Sequence, residues 1–338
     1  GARLGLNRTM NLGLVLQVVA LSMLLVPAAM LTVPWVMAAQ ALSGVAKDLN
    51  KMSAKSTIKL LVPDGQGGAL YKWIAVLTGS KNALKGAGFF LGGALLMVMG
   101  FAGAVGAMAA ALLVVWIISL IFLKKDLGRA KSKPKFSEVF SKSRAVNVLS
   151  AARLFLFGAR DVWFVVALPV FLASQFDWDH WQVGGFLALW VIGYGAVQSL
   201  APRITGRSGR GLPDGRTAFG WAAVLTIIPM LIALALWQGV VPGVSLVVGL
   251  LIFGVLFAVN SSLHSYLIVS YAKEDGVSLD VGFYYMANAM GRLVGTVLSG
   301  WVYQVAGLIA CLWISAAFLA LAAIIALWLP RRLVDESA

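Results

Sequence analysis

Apolar residues in this chain arrive in blocks of roughly 20, separated by short polar or basic stretches. That length lets an α-helix cross the ~30 Å hydrocarbon core of a bilayer. Backbone N–H and C=O groups have no water to bond inside lipid, so such blocks fold as helices that satisfy them internally. The blocks fall at 11–27, 29–47, 73–99, 101–123, 148–174, 181–202, 217–238, 243–270, 281–303 and 306–329. The first two share one apolar run, and Pro27 is its natural break, because proline ends or kinks a helix. Of the 338 residues 60% are hydrophobic and only 12% charged, about half the charge of a soluble domain. The expected fold class is an all-α membrane protein with ten spans.

The basic residues are distributed as topology signals. The net charge of +14 would suit a nucleic-acid partner only if the charge were gathered on a soluble surface. Instead, all of the 27 lysines and arginines except Lys81, Lys85, Arg153, Arg160 and Arg292 lie before the first block or after the second, fourth, sixth, eighth and tenth. The alternate connections carry none. Cytoplasmic loops hold the Lys/Arg excess, so both visible termini are expected in the cytoplasm, with Asp177 and Asp179 outside. The longest basic stretch separates residues 1–123 from 148–338, and its Lys/Ser/Pro composition reads 124–147 as a cytoplasmic linker. Four spans precede it and six follow. A transporter of two six-helix halves would be missing two helices before Gly1, so an N-terminal truncation is expected.

The five basic residues within spans are costly in lipid and mark a cavity by default. Lys81 and Lys85 share a helix face, and Arg153 and Arg160 lie two turns apart on another. Tyr284, Asn288 and Arg292 form an i, i+4, i+8 stripe, and Asn260 and His264 an i, i+4 pair. Together they describe a cation-rich, hydrogen-bonding cavity suited to a small anion. Arg292, near mid-span with no acid in its own helix, is the leading ligand. Asp161 is the candidate proton carrier. Simpler roles exist for several of these residues. Lys81 is ~12 Å into its span at 1.5 Å per residue and within snorkelling reach of the surface. Arg153 is near a span end. Arg160 can pair with Asp161, and His264 can bond between helices. Gly88, Gly92 and Gly93, and Gly291 and Gly295, have the small-residue spacing that lets helices pack closely.

Enzymatic motifs are absent: no HExxH, CxxC, GxxxxGK[ST] or GxSxG occurs. Cys311 is the only cysteine and reads as a packing residue. No metal or other cofactor is implied. The acidic turn FDWDHW, with interfacial Trp178 and Trp181, reads as an external loop.

Several strings are more specific. The opening GARLGLNRTM resembles the end of the signature loop between helices two and three of the major facilitator superfamily. On that likeness the ten visible spans are helices 3–12 of an expected twelve. LSGVAKDLNKMSAKSTIKLLVP, LYKWIAVLTGSKNALKGAGFFLGG, ARLFLFGARDVWFVVALPVFL and GFYYMANAMGRLVGTVLSGW closely resemble the organoarsenical efflux transporters of that superfamily, the ArsJ type. GFFLGG also resembles the end of the antiporters' glycine-rich motif in helix five, with Phe89 where a proline is usual. The resemblance implies a non-enzymatic antiporter in the bacterial inner membrane that exports 1-arseno-3-phosphoglycerate. It implies a functional link to the glyceraldehyde-3-phosphate dehydrogenase that makes the ester. Implied partners are the small anionic substrate and the lipid bilayer, with no nucleic acid. Other organophosphate or organic-anion transporters of the same fold are the main alternative, followed by a multispan membrane enzyme.

The charge pattern makes one direct prediction. A cysteine at Lys135, in a Cys311→Ser background, should react with an impermeant thiol reagent only from the cytoplasmic side of oriented vesicles. Labelling from outside would invert the assignment.

Overall fold

The structure, a computed structural model, describes residues 5–63, 65–123, 143–206, 212–272 and 277–331. The helices in chain order are α1 (Leu6–Ser22), α2 (Val33–Leu61), α3 (Gly67–Phe122), α4 (Arg144–Phe164), α5 (Ala167–Phe176), α6 (His180–Gly206), α7 (Gly215–Trp237), α8 (Pro242–Tyr271) and α9 (Val277–Ala326). No strand occurs among the described residues. Residues 124–142, most of the basic stretch read as a linker, lie outside them, and its last residues already belong to α4.

Among the described residues seven helical runs are long and apolar enough to cross a bilayer, rather than the ten expected. Part of the difference comes from two long runs. α3 has 56 residues and α9 has 50, or roughly 84 and 75 Å at 1.5 Å per residue, far more than one bilayer core. Each is interrupted by a glycine at positive φ, Gly100 (φ 67°) and Gly307 (φ 73°), where only glycine is comfortable. The sequence placed connections at both positions. α2 accounts for another part. The sequence ended its span at residue 47, but the helix continues to Leu61. The Lys/Ser-rich tail is helical, with Lys51 bonding Asp48 at 2.8 Å one turn back, and it dilutes the hydropathy of the run.

Proline sets other breaks. Pro27 lies between the α1 run and α2, as expected. Pro169 cannot accommodate the carbonyl four residues earlier, and helical order lapses between α4 and α5, at residues 165–166. The Ala167 N–H at that break donates to Ser299 Oγ at 3.1 Å, satisfying a backbone group that lipid would leave unbonded. At the start of α6, Asp179 and Gln182 cap one another reciprocally at 2.7 and 2.9 Å. The acidic turn therefore has an ordinary helix-capping job.

The chain forms two compact units. One comprises Gly1–Pro63, Gly88–Val139 and Ala272–Gly282, and the other Asp64–Ala87, Phe140–Tyr271 and Phe283–Ala338. In the first, α1 and α2 pack through Gly13, whose missing side chain admits Ala46 and Asn50, and Trp35 donates to the Met23 carbonyl at 2.6 Å. The second has an aromatic core. Phe253 and Phe257 of α8 stack at 5.5 Å, Trp190 and Tyr194 of α6 at 5.6 Å, and Trp163 of α4 meets Phe253 edge-on at 5.1 Å. Trp190 Nε1 donates to the Leu250 carbonyl at 3.0 Å.

Glycines set two close helix crossings in the second unit. A Cβ on Gly291 would collide with the Leu154 carbonyl, and one on Gly295 with the Gly158 carbonyl at 2.6 Å. This pair brings α9 onto α4, as its spacing implied. Gly79 and Gly195 do the same for α3 and α6. Gly88 and Gly92, expected to pack similarly, have nothing within 4 Å of where a Cβ would sit. Spacing alone did not identify their surroundings.

Gly291→Val should therefore lower the thermal unfolding temperature of detergent-purified protein, with an overpacking cost of about 1–3 kcal/mol. Gly92→Ala should leave it unchanged or slightly raised, since alanine is the better helix former. Equal effects would show that the α4–α9 approach is not tight.

Candidate functional site

α4 carries three ionisable side chains into the second unit. Asp161 has no exposed side-chain surface and is held by two arginines. Its Oδ1 accepts from Arg160 Nε at 2.6 Å and is 2.5 Å from Arg160 Nη2. Its Oδ2 accepts from Arg292 Nε of α9 at 2.8 Å. The Gly158–Gly295 approach makes this reach possible, since a Cβ on Gly295 would touch Asp161 Cβ at 3.0 Å. Arg292 was expected to be the leading ligand, with no acid in its own helix; its counter-charge is Asp161, supplied from α4. The Arg292 side chain remains 45% exposed despite this pairing.

Two turns earlier, Arg153 is 4% exposed and meets neutral acceptors. Nε donates to Asn288 Oδ1 at 2.9 Å, and Nη1 donates to the carbonyl and hydroxyl of Ser261, both at 3.3 Å. Its guanidinium carbon lies 3.7 Å from the Phe157 ring centre and 5.1 Å from that of Tyr284. Arg160 approaches the same Phe157 ring at 5.0 Å. Two cations thus lie within reach of one phenyl ring, a placement that cation–π attraction supports. The cluster contains three guanidinium groups and one carboxylate.

The polar chain continues beyond Ser261. Gln198 of α6, fully buried, donates from Nε2 to Ser261 Oγ at 3.1 Å, and its Oε1 accepts from Asn82 of α3 at 2.6 Å. Neither Asn82 nor Gln198 was singled out by sequence. Each is a neutral amide, and Asn82 stands next to Lys81, whose charge drew the reading instead.

The other expected residues are distributed as follows. Tyr284 and Asn288 join Arg153. Lys81 and Lys85 are exposed along α3, on either side of Asn82. Asn260 serves helix packing: its Nδ2 donates to the Trp221 carbonyl at 3.0 Å and to Leu256 at 2.9 Å. The first of these bonds makes it a peg between α8 and α7. His264 is buried beside it, 1% exposed, with Nδ1 unbonded among the described residues. Among those residues no group of three or more His, Cys, Asp or Glu gathers to hold a metal.

Residues 1–278 and 163–338 match the Major Facilitator Superfamily, so the matches together span the whole chain. The chain belongs to the major facilitator superfamily. It is a multi-pass integral membrane transporter. The fold is similar to that of the human organic anion transporter MFSD10 (TETRAN), with 19% identity, TM-score 0.77, and coverage of 96% of this chain and 78% of that one. A bacterial homologue of the iron transporter ferroportin, outward-facing, gives 14%, 0.74, 96% and 84%. The E. coli fucose:proton symporter FucP gives 13%, 0.72, 96% and 83%. At these identities the likeness is one of fold. No curated protein matches in sequence.

In this transporter the buried carboxylate is the member of the cluster that cannot be removed alone. Asp161→Asn leaves two guanidinium groups without their counter-charge, and breaking a buried pair from one side costs about 3–5 kcal/mol. Arg292→Gln should cost less, because Asp161 keeps Arg160 and Arg292 is partly exposed. Thermal unfolding of both single variants and the double variant checks this. The expected order is Asp161→Asn least stable, with Arg292→Gln adding little further loss in the double variant.

Proposed function

We propose that this transporter exports an organoarsenical anion, 1-arseno-3-phosphoglycerate, and so confers arsenate resistance. The observation that carries the reading is the gathering of three guanidinium groups, Arg153, Arg160 and Arg292, of which only Arg160 and Arg292 pair with a carboxylate, Asp161, among the described residues. Buried positive charge beyond its counter-ions is expensive and is relieved by an anionic guest. Arginine also offers the forked donor geometry that phosphate- and arsenate-like groups accept in pairs. The choice among anions is supported by the strings at Leu42–Pro63, Leu70–Gly93, Ala152–Leu172 and Gly282–Trp301, which resemble the organoarsenical exporters. In this reading Arg153, Arg160 and Arg292 provide charge, with Asn288 and Tyr284 beside them and Lys81 and Lys85 contributing from α3. Asn260 and His264 are further polar contacts. Asp161 is the proton-coupling candidate, so export is antiport. In the same reading the protein works in the bacterial inner membrane with both visible termini cytoplasmic, as the resemblance and the Lys/Arg pattern imply. The ester is supplied by glyceraldehyde-3-phosphate dehydrogenase acting with arsenate in place of phosphate. Once exported, the labile acyl-arsenate hydrolyses and releases arsenate outside.

The second reading is transport of another organic anion. The fold likeness to a human organic anion transporter favours it, and the same cation cluster would serve. Competition by unlabelled organophosphates in vesicles separates the two.

Cells expressing the transporter together with the dehydrogenase should accumulate less arsenic from arsenate than cells expressing either alone. Equal protection by the transporter alone would point to direct arsenate transport, and no protection in any combination would overturn the arsenical reading.

A further inference from the structure

Arg153 and Arg160 are seven residues apart on α4, yet their electrostatic situations are opposite. Arg160 shares the Asp161 carboxylate with Arg292. Arg153 contacts only neutral groups among the described residues: Asn288 Oδ1, the Ser261 carbonyl and hydroxyl, and the faces of Phe157 and Tyr284. Its charge is oriented without being cancelled. A buried cation in that condition is the part of the cluster best prepared to meet an anion.

Ser261 is the pivot of that orientation. Its hydroxyl oxygen accepts from both Arg153 Nη1, at 3.3 Å, and Gln198 Nε2, at 3.1 Å. The Gln198 amide is fixed from its other end by Asn82 Nδ2 at 2.6 Å. The chain Asn82–Gln198–Ser261–Arg153–Asn288 therefore joins α3, α6, α8, α4 and α9 through neutral side chains on both sides of one guanidinium. A glutamate at position 198 would preserve size and the acceptor for Asn82. It would also place a negative charge one hydroxyl away from Arg153.

We propose that Gln198, oriented by Asn82, is a positioning residue for anion recognition: it aims Arg153 through Ser261, and its neutrality leaves the Arg153 charge available to the transported anion. This rests on the reading that the transporter carries an anion, though not on that anion containing arsenic.

The test uses the full chain in inside-out vesicles, with the arseno-ester generated in place by the dehydrogenase from glyceraldehyde 3-phosphate, arsenate and NAD+, which takes the hydride and is reduced to NADH. KM and maximal rate of arsenic uptake are measured for wild type, Gln198→Glu, Gln198→Leu and Asn82→Ala. The melting temperature of each purified variant is recorded with and without 3-phosphoglycerate. Gln198→Glu should raise KM by about tenfold or more, the scale of one hydrogen bond to a charged group. It should also abolish stabilisation by 3-phosphoglycerate while the ligand-free melting temperature changes little. Gln198→Leu and Asn82→Ala should raise KM less, because they loosen Arg153 without neutralising it. A purely structural Gln198 predicts the reverse order, with Leu most damaging and the loss appearing in melting temperature or maximal rate. That result, or wild-type KM in Gln198→Glu, overturns the proposal. A wild type that takes up no arsenic yet is stabilised by 3-phosphoglycerate in a Gln198-dependent way would refute the arsenical substrate and support this assignment. A wild type responding to neither anion overturns both.

Discussion

Asp161 is the residue on which the charged interior depends. It is inaccessible, and it accepts from guanidinium groups on two helices. In a low-dielectric interior a lone carboxylate and a lone guanidinium are each costly, and good geometry is needed before their attraction offsets the lost hydration. Backbone proximity supplies that geometry. Gly291 and Gly295 bring α9 so near to α4 that side chains there would strike the carbonyls of Leu154 and Gly158. The ion pair and the glycine crossing therefore support one another. A side chain at either glycine would separate Arg292 from Asp161, and loss of Asp161 would leave two cations at the closest approach of the helices.

The same helix shows how a membrane protein can retain an active charge. Across two turns of α4, about 10 Å along its axis, the environment changes from a carboxylate shared by two arginines to a guanidinium among amides, a hydroxyl and aromatic faces. The aromatic core makes the second arrangement tolerable. Phe157 contacts Arg153, Arg160 and, through ring packing at 5.1 Å, Phe257 of α8. Phe257 in turn stacks on Phe253. Cation–π attraction spreads part of the burden of the charge without neutralising it. Arg153 is thereby stabilised in place while no acid pairs with it among the described residues.

Much of the fold was legible because lipid imposes a simple length rule. Apolar blocks, Pro27, Gly100 and the region of Gly307 all marked real changes in helical order. Less legible was where a helix stops once it has left the apolar block, as α2 shows. Its Lys- and Ser-containing tail looks like loop by hydropathy, but contains helix formers and a lysine–aspartate pair one turn apart. Equal glycine spacings also proved unequal in space. Gly291 and Gly295 lie against another backbone, whereas Gly88 and Gly92 do not. The periodic pattern says which residues share a face and carries no information about what that face meets.

The site was legible in its charges and opaque in its pairings. Arg153, Asn288 and Tyr284 were recognisable as polar positions on apolar helices, and they do converge. The partner of Arg292 was hidden because a helical pattern reveals neighbours three or four residues away, while Asp161 is 131 positions distant. Asn82 and Gln198 were hidden for a different reason. A neutral amide costs far less in an apolar helix than an ionised group, so one amide in a span raises no alarm. Yet that neutrality is what permits an amide to hold an arginine without cancelling it. A carboxylate in the same place would have been conspicuous in the sequence, and it would have turned Arg153 into a second closed ion pair. The residues that keep a buried charge usable are thus, by the same physics, the ones that a search for charge passes over.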